Sequence, residues 1–120
     1  MFTRYENGGT VIIVQPEGEL HKIRGQELEN LESELETLLK RPSVTTIIVD
    51  LTAVSRVNSG GIGPLVEGHR HMLERAGRFI VIATPGSAAR KLFEITKLDQ
   101  ALVVKDSMEE ALREIDAHRP

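Results

Sequence analysis

Short runs of β-branched residues alternate along this chain with longer segments whose apolar residues recur every three or four positions, a pattern typical of α/β proteins. Asn7-Gly8-Gly9 predicts a tight hairpin turn because Asn and Gly tolerate positive φ angles. The predicted strands are residues 2–6, 10–15, 45–51, 78–83 and 101–104. We therefore expect an α/β fold with a mixed β-sheet, in which an N-terminal antiparallel hairpin is followed by βα units that form parallel pairs.

The helical periodicity predicts about four helices. Gly18-Glu19-Leu20-His21 is interpreted as the turn that leads into the first, from about Arg24 to Lys40, and Pro42 ends it. The second helix lies between about Gly61 and Ala76, with Gly77 as terminator. A third follows residues 84–87, and the capping-box pattern at 107–110 opens the last. The predicted helical apolar positions are Leu28, Leu31, Leu35, Leu38 and Leu39, then Ile62, Leu65, Val66, His69, Met72 and Leu73, then Ala88, Leu92, Phe93 and Ile95, and finally Ala111, Leu112 and Ile115.

Composition narrows the possible functions. The length of 120 residues fits one domain over residues 1–120, and 40% hydrophobic with 28% charged residues is a globular balance. Aromatic residues at 3% and a net charge of −3 argue against nucleic acid as a partner. The absence of cysteine excludes disulfides and thiolate chemistry and suits the cytoplasm. No apolar run resembles a signal peptide or is long enough to span a bilayer, so we expect no direct membrane contact.

The most informative segment joins the end of a buried strand to the start of the second predicted helix. Here Asn58-Ser59-Gly60-Gly61 precedes Ile62. Ser59 is placed to cap the helix, and the two glycines remove bulk so that another molecule's backbone could approach. A helix N-terminus also stabilises added negative charge, so a phosphate on Ser59 would be accommodated. Local pattern alone leaves two interpretations open, a simple helix cap or a modified serine.

Catalytic and metal chemistry is poorly represented. His69 and His71 are two residues apart and face different sides of a helix, while His21 and His118 lie elsewhere. A triad of Ser59, His69 and Asp50 does not fit a nucleophile elbow, which needs Gly both two residues before and two residues after the Ser. The glycine-rich turn lacks the Lys-Ser/Thr ending of a phosphate-binding P-loop. We therefore expect no catalytic residue, no metal, no cofactor and no enzymatic activity.

The order and spacing of several segments resemble the STAS domain family of bacterial anti-sigma factor antagonists. The resemblance extends over nearly the whole chain. It is carried by Gly18-Glu19-Leu20, Val49-Asp50-Leu51, residues 58–63, Ala76-Gly77-Arg78, residues 92–99 and residues 106–112.

The resemblance implies a single STAS domain that acts by partner switching. In this family the unmodified antagonist binds an anti-sigma factor, often a serine kinase, and is released when the kinase phosphorylates the serine that Ser59 matches. A separate serine phosphatase restores binding. The implied partner-binding residues here are Asn58, Gly60, Gly61 and Ile62, together with Arg56 and His21.

Three positions depart from the family pattern. Asn58 stands where the family usually has Asp, Gly60 where it often has Ser, and His21 where it commonly has Asp. These differences leave two alternatives open. One is an unphosphorylated STAS module that binds a small ligand or nucleotide, and the other is a STAS subunit associated with a transporter.

Overall fold

A five-stranded mixed sheet forms the centre of the protein. The structure, a computed structural model, describes residues 1–21 and 25–117. Its strands are β1 (Phe2–Glu6), β2 (Val11–Gln15), β3 (Gly18–Leu20), β4 (Thr46–Asp50), β5 (Val54–Val57), β6 (Arg78–Ile82) and β7 (Val103–Lys105). The central sheet has the order β1-β2-β4-β6-β7, with β1 antiparallel to β2 and every other pair parallel. This confirms the predicted mixed sheet and its N-terminal hairpin.

A second, two-stranded sheet was not predicted from the sequence. In it β3 pairs in parallel with β5, with Leu20 opposite Val57. The interpretation of Gly18-Glu19-Leu20 as a turn is therefore wrong, because these residues form β3. Leu20 and Val54 are buried in the main core, so this small sheet is held to the protein by its apolar side chains as well as by its ladder.

Within the described residues, five α-helices surround the sheet. They are α1 (Glu27–Leu39), α2 (Gly63–Glu74), α3 (Ala88–Thr96), α4 (Leu98–Ala101) and α5 (Met108–Ala117). The additional helix, α4, is a single turn of four residues, and it includes Ala101, which was predicted as the start of the last strand. The predicted start of the first helix, Arg24, lies outside the described residues, as does His118.

The aliphatic core has two parts, one on each face of the sheet. Side chains of α1, α2 and α3 pack with alternate residues of β2, β4 and β6, including Ile12, Ile47 and Val81. The intervening residues of the same strands, including Ile13 and Ile48, point to the other face and pack with Ala111 of α5. The helices that lead to the candidate site therefore lie together on one face.

Five predicted apolar helix positions are exposed instead. The exposed fractions of Val66 and Leu73 on α2 are 38% and 60%, those of Ile95 and Leu112 are 79% and 43%, and Ala88 is exposed as well. The orientation of α2 is set by Gly68, where a Cβ atom would lie 2.5 Å from the Phe79 ring. A pattern of hydrophobic residues does not reveal that a helix approaches a strand closely at a glycine. The apolar face predicted for α2 was therefore too wide.

The end of α2 also differs in detail from the prediction. Ala76, and not Gly77, adopts the left-handed conformation, with φ of 58°. Gly77 is needed for space, because a Cβ atom there would lie 2.7 Å from Met72 Cε and 2.9 Å from the Thr45 carbonyl oxygen. The glycine thus permits the chain to pass close to β4 before it enters β6.

Candidate functional site

Ser59 lies in a short turn that is anchored to the small sheet. Residues Ser59–Gly61 form a single 3-10 turn between β5 and α2. The Asn58 N–H donates to the Leu20 carbonyl at 3.4 Å, and the Gly61 N–H donates to the Asn58 carbonyl at 2.9 Å. These backbone hydrogen bonds attach the turn to the end of β3.

The Ser59 side chain is exposed and does not cap α2. The capping position of α2 is Ile62, and no side chain supplies a capping hydrogen bond to α2 or to the preceding turn. Within residues 1–21 and 25–117 the Ser59 hydroxyl makes no hydrogen bond, so the prediction of a helix cap is wrong. Pro64 lies in the first turn of α2, where its missing N–H is tolerated.

The end of α2 nearest Ser59 is electrostatically suited to negative charge. The first turn of α2 holds no acidic residue. Its Leu65 and Val66 N–H groups already donate to the Ile62 carbonyl, at 2.9 and 3.2 Å, so the helix dipole and not a set of free donors would act on an added charge. The first turn of α1, by contrast, carries Glu27 and Glu29. A negative group on Ser59 would therefore meet the positive end of a helix whose first turn contains no carboxylate to repel it.

Two of the predicted partner-binding residues are buried. Ile62 is 6% exposed, and Gly61 is also buried. A Cβ atom on Gly61 would lie 2.8 Å from the Leu20 carbonyl oxygen and 3.0 Å from Val57 Cγ2. The backbone that approaches Gly61 closely is therefore that of β3 in the same chain, and this corrects the idea that the glycine makes room for a partner. No pattern within residues 58–63 could signal this, because Leu20 is distant in sequence.

The remaining predicted residues surround a small cavity next to Ser59. Its volume is about 290 Å³, and Glu19, His21, Arg56 and Asn58 supply its polar side chains. Arg56 is exposed on β5, and His21 is partly exposed after β3. Asn58 Oδ1 is buried and has no hydrogen-bond donor among the described residues. The structure thus brings Arg56, His21 and Asn58 together, and Gly60 lies exposed beside them.

The contacts of Asp50 do not support a catalytic triad of Ser59, His69 and Asp50. Asp50 is buried at the end of β4, where its carboxylate accepts from the Thr52 N–H at 3.0 Å and from Gln15 Nε2 at 3.4 Å. In the described part of the chain, no three His, Asp or Glu side chains are grouped so that they could hold a metal ion. Among those same residues there is also no helix with the length and apolar character needed to cross a membrane.

Comparison with known proteins gives one family and one fold. The sequence model of the STAS domain matches residues 3–111. Among solved structures, the anti-sigma factor antagonist SpoIIAA in its unphosphorylated form superposes with a TM-score of 0.72 at 22% identity, covering 98% of each chain. The phosphorylated form of SpoIIAA, a Bacillus cell fate determinant, gives 0.70 at 24% identity, covering 95% of this chain and 97% of that one.

An anti-sigma factor antagonist from Mycobacterium paratuberculosis is similar to the same degree in sequence. It superposes with a TM-score of 0.79 at 24% identity, covering 96% of this chain and 93% of the mycobacterial chain. At such identities the superpositions show a shared fold, and the assignment of residue roles depends on the geometry around Ser59.

Proposed function

The chain belongs to the STAS domain family, and from that premise we propose that it is an anti-sigma factor antagonist controlled by phosphorylation of Ser59. In the unmodified state it binds an anti-sigma factor that is a serine kinase. Phosphorylation of Ser59 releases the kinase, and a serine phosphatase resets the cycle. In this scheme the chain is a ligand and a substrate, and its partners supply the catalysis.

The observation that carries this proposal is the state of the Ser59 hydroxyl. It is exposed, it has no hydrogen bond within the described residues, and it sits on a turn held to β3 through the Asn58 N–H. A hydroxyl needed for capping would have to break a structural hydrogen bond before it could react. Ser59 has no such bond to break, so a kinase can take its proton and transfer a phosphoryl group without unfolding α2.

The transfer itself needs groups that the kinase provides. Ser59 Oγ attacks the terminal phosphorus of a nucleoside triphosphate, the bond from that phosphorus to the bridging oxygen breaks, and the hydroxyl proton passes to a base of the kinase. On this chain the positive end of α2 faces the new phosphate. The product is thus tolerated by the antagonist while it changes the surface that the kinase contacts.

Release follows from charge and desolvation. A phosphate adds about −1.5 to −2 charges at neutral pH. We assign Gly60, Asn58, Arg56 and His21 to the docking face around Ser59, whereas buried Gly61 and Ile62 shape its backbone. A doubly charged group at the centre of such a face must either lose its hydration or hold the partner away, and both weaken the complex.

Phosphorylation by the cognate kinase tests the proposal with a matched pair of serines. Ser55 is exposed on β5, four residues before Ser59, and provides the control. Ser59→Ala is expected to abolish incorporation of labelled phosphate, while Ser55→Ala retains the wild-type stoichiometry. Labelling that persists in Ser59→Ala would contradict the proposed role of Ser59.

The affinity of the kinase for a charged variant tests the release step. Ser59→Glu is expected to bind at least about tenfold more weakly than wild type, since like charge or a desolvated carboxylate at an interface costs on the order of 1.4 kcal/mol or more. Ser55→Glu should bind within about twofold of wild type. Equal affinities for Ser59→Glu and wild type would show that charge at this position does not control release.

A second candidate function is favoured by the cavity beside Ser59. Asn58 Oδ1 is a buried acceptor without a donor in the described part of the chain, and Arg56 and Glu19 line the same cavity of about 290 Å³. A small ligand with an N–H or O–H group would satisfy Asn58. A thermal-shift screen with nucleotides tests this alternative, for which we expect stabilisation of wild type that is lost in Asn58→Ala.

A further inference from the structure

A second concave surface lies between α1 and α2, and it is lined by residues other than those of the cavity at Asn58. This α1–α2 groove has a volume of about 390 Å³. Leu35 and Leu39 of α1 and Pro64 of α2 supply its apolar lining, and Gly60 and Gly63 form part of its wall. It is large enough for one or two aliphatic side chains.

The space in the α1–α2 groove exists because α2 lacks side chains where it begins. Gly63 is exposed, and a Cβ atom placed there would meet nothing within 4 Å. The φ angle of Gly63 is outside the left-handed region, but Gly63 lies directly before Pro64, where a Cβ atom disfavours the helical conformation. Apart from its chain neighbours, no atom among the described residues occupies the space beside Gly63.

The rim of the α1–α2 groove carries uncompensated negative charge. Glu32 and Glu36 are exposed one turn apart on α1, and neither has an ion pair among the described residues. The sequence of α1 contains five Glu residues and no Lys or Arg, so the helix cannot neutralise them itself. Like charges at this spacing destabilise a helix.

The other long surface helices are neutralised in a different way. On α2, Arg70 pairs with Glu67 at 2.8 Å and with Glu74 at 2.9 Å, and on α5 Arg113 pairs with Glu109 at 2.8 Å. The hydrogen bond from Arg70 lowers the pKa of Glu67, which also lines the groove, so Glu67 is ionised at neutral pH. The unpaired carboxylates of α1 thus stand beside a third carboxylate across the groove.

We propose that the α1–α2 groove binds a segment of a partner protein that presents an aliphatic side chain flanked by Lys or Arg. The aliphatic side chain fills the space over Leu35 and Leu39, and the basic side chains pair with Glu32 and Glu36. A second copy of this chain fits less well, because its net charge is −3 and each copy would repel the other's rim.

A synthetic peptide provides the probe. We choose a helical peptide of about 14 residues with leucines on one face and lysines flanking them, labelled for fluorescence anisotropy. Glu32→Gln/Glu36→Gln is expected to weaken its binding by about fivefold, from the loss of two exposed ion pairs. The matched control Glu29→Gln/Glu94→Gln removes the same charge from exposed positions outside the groove lining and should bind within about twofold of wild type.

A steric variant tests the apolar part of the site. Gly63→Leu places a side chain into the open space and should weaken peptide binding by about tenfold or more. Because the new side chain precedes Pro64, we expect a lower thermal unfolding temperature, while the circular dichroism spectrum of the folded protein stays that of wild type. Ser59→Ala should leave peptide binding unchanged, so a result here is separate from the outcome of the kinase experiment.

Three results would overturn the proposal. Equal weakening in Glu29→Gln/Glu94→Gln and Glu32→Gln/Glu36→Gln would mean that the peptide responds only to total charge. Full peptide affinity in Gly63→Leu would mean that it binds outside the groove. Self-association in sedimentation experiments that disappears in Glu32→Gln/Glu36→Gln would identify a second copy as the occupant.

Discussion

Replacement of Gly61 by alanine measures how tightly the Ser59 turn is held against β3. The new Cβ atom would lie 2.8 Å from the Leu20 carbonyl oxygen and 3.0 Å from Val57 Cγ2. Leu20 is fully buried and its backbone belongs to the β3–β5 ladder, so neither atom can move away freely. Relief of the contact requires displacement of the turn that carries Ser59.

Gly63→Ala is the matched control for this substitution, because its Cβ atom would meet nothing within 4 Å. In both variants alanine restricts the unfolded chain. Alanine at position 63 also meets the ring of Pro64, so the difference between the variants is a lower bound on the clash at Gly61, for which overpacking costs about 1–3 kcal/mol. In a chain of this length that corresponds to roughly 3–15 °C in the unfolding temperature.

Thermal unfolding by circular dichroism, supported by urea denaturation, measures this difference. We expect the free energy of unfolding of Gly61→Ala to fall below that of Gly63→Ala by about this amount. Phosphorylation of Ser59 should also be slower in Gly61→Ala, because the turn is displaced. Equal unfolding temperatures for the two variants would contradict the proposed clash at Gly61. They would show that β3 accommodates the added methyl group without loss of stability.

Three further substitutions test contacts elsewhere in the fold. Arg90→Ala removes hydrogen bonds to the Ala83 carbonyl at 2.8 Å and to Asp106 at 2.6 Å. It should lower the free energy of unfolding, measured by urea denaturation, by about 1–3 kcal/mol. The control Arg113→Ala breaks only an exposed ion pair and should lower it by under about 0.5 kcal/mol. Burial of Glu27 disfavours its charged form, but hydrogen-bond donors including the Glu17 N–H outweigh the effect of burial and lower the pKa of Glu27. The charged Glu27 therefore stabilises the fold above the ordinary glutamate pKa of about 4.3, and this stabilisation is lost as pH falls through the lowered pKa. The stability gap between wild type and Glu27→Gln should accordingly close on acidification, and a gap that widened would contradict this assignment. Asn58→Asp places a carboxylate oxygen where Oδ1 is buried without a donor in the described residues, and it should lower the unfolding temperature at pH 7.

The central sheet was predictable because its signals are local. Asn7 and Gly8 both adopt the positive φ angles that a tight turn needs, so the hairpin could be identified from a few neighbouring residues. Strands such as β4 and β6 are buried throughout most of their length and appear as continuous aliphatic runs. Each of these features is contained within one short window of sequence.

The small sheet and the true role of Gly61 were not predictable, because the contacts behind them join residues that are far apart in sequence. The strands β3 and β5 have three and four residues, and β5 contains exposed Ser55 and Arg56, so neither shows a hydrophobic run. They exist because Leu20, Val54 and Val57 find apolar partners that lie far away in sequence. Ser59 could be selected by its position near a helix, but its lack of a capping bond depends on where α2 begins, which was placed two residues too early.

The separation of the two sheets has a consequence for how this protein can change over generations. The docking face that we propose around Ser59 adjoins the β3–β5 ladder, whereas the five-stranded sheet carries most of the aliphatic core. Substitutions at exposed positions such as Arg56 leave the central ladder untouched, and effects at separated sites add nearly independently. The preference for one partner over another can therefore change during evolution while the central sheet is conserved. This agrees with the solved structures that share this fold at 22–24% sequence identity.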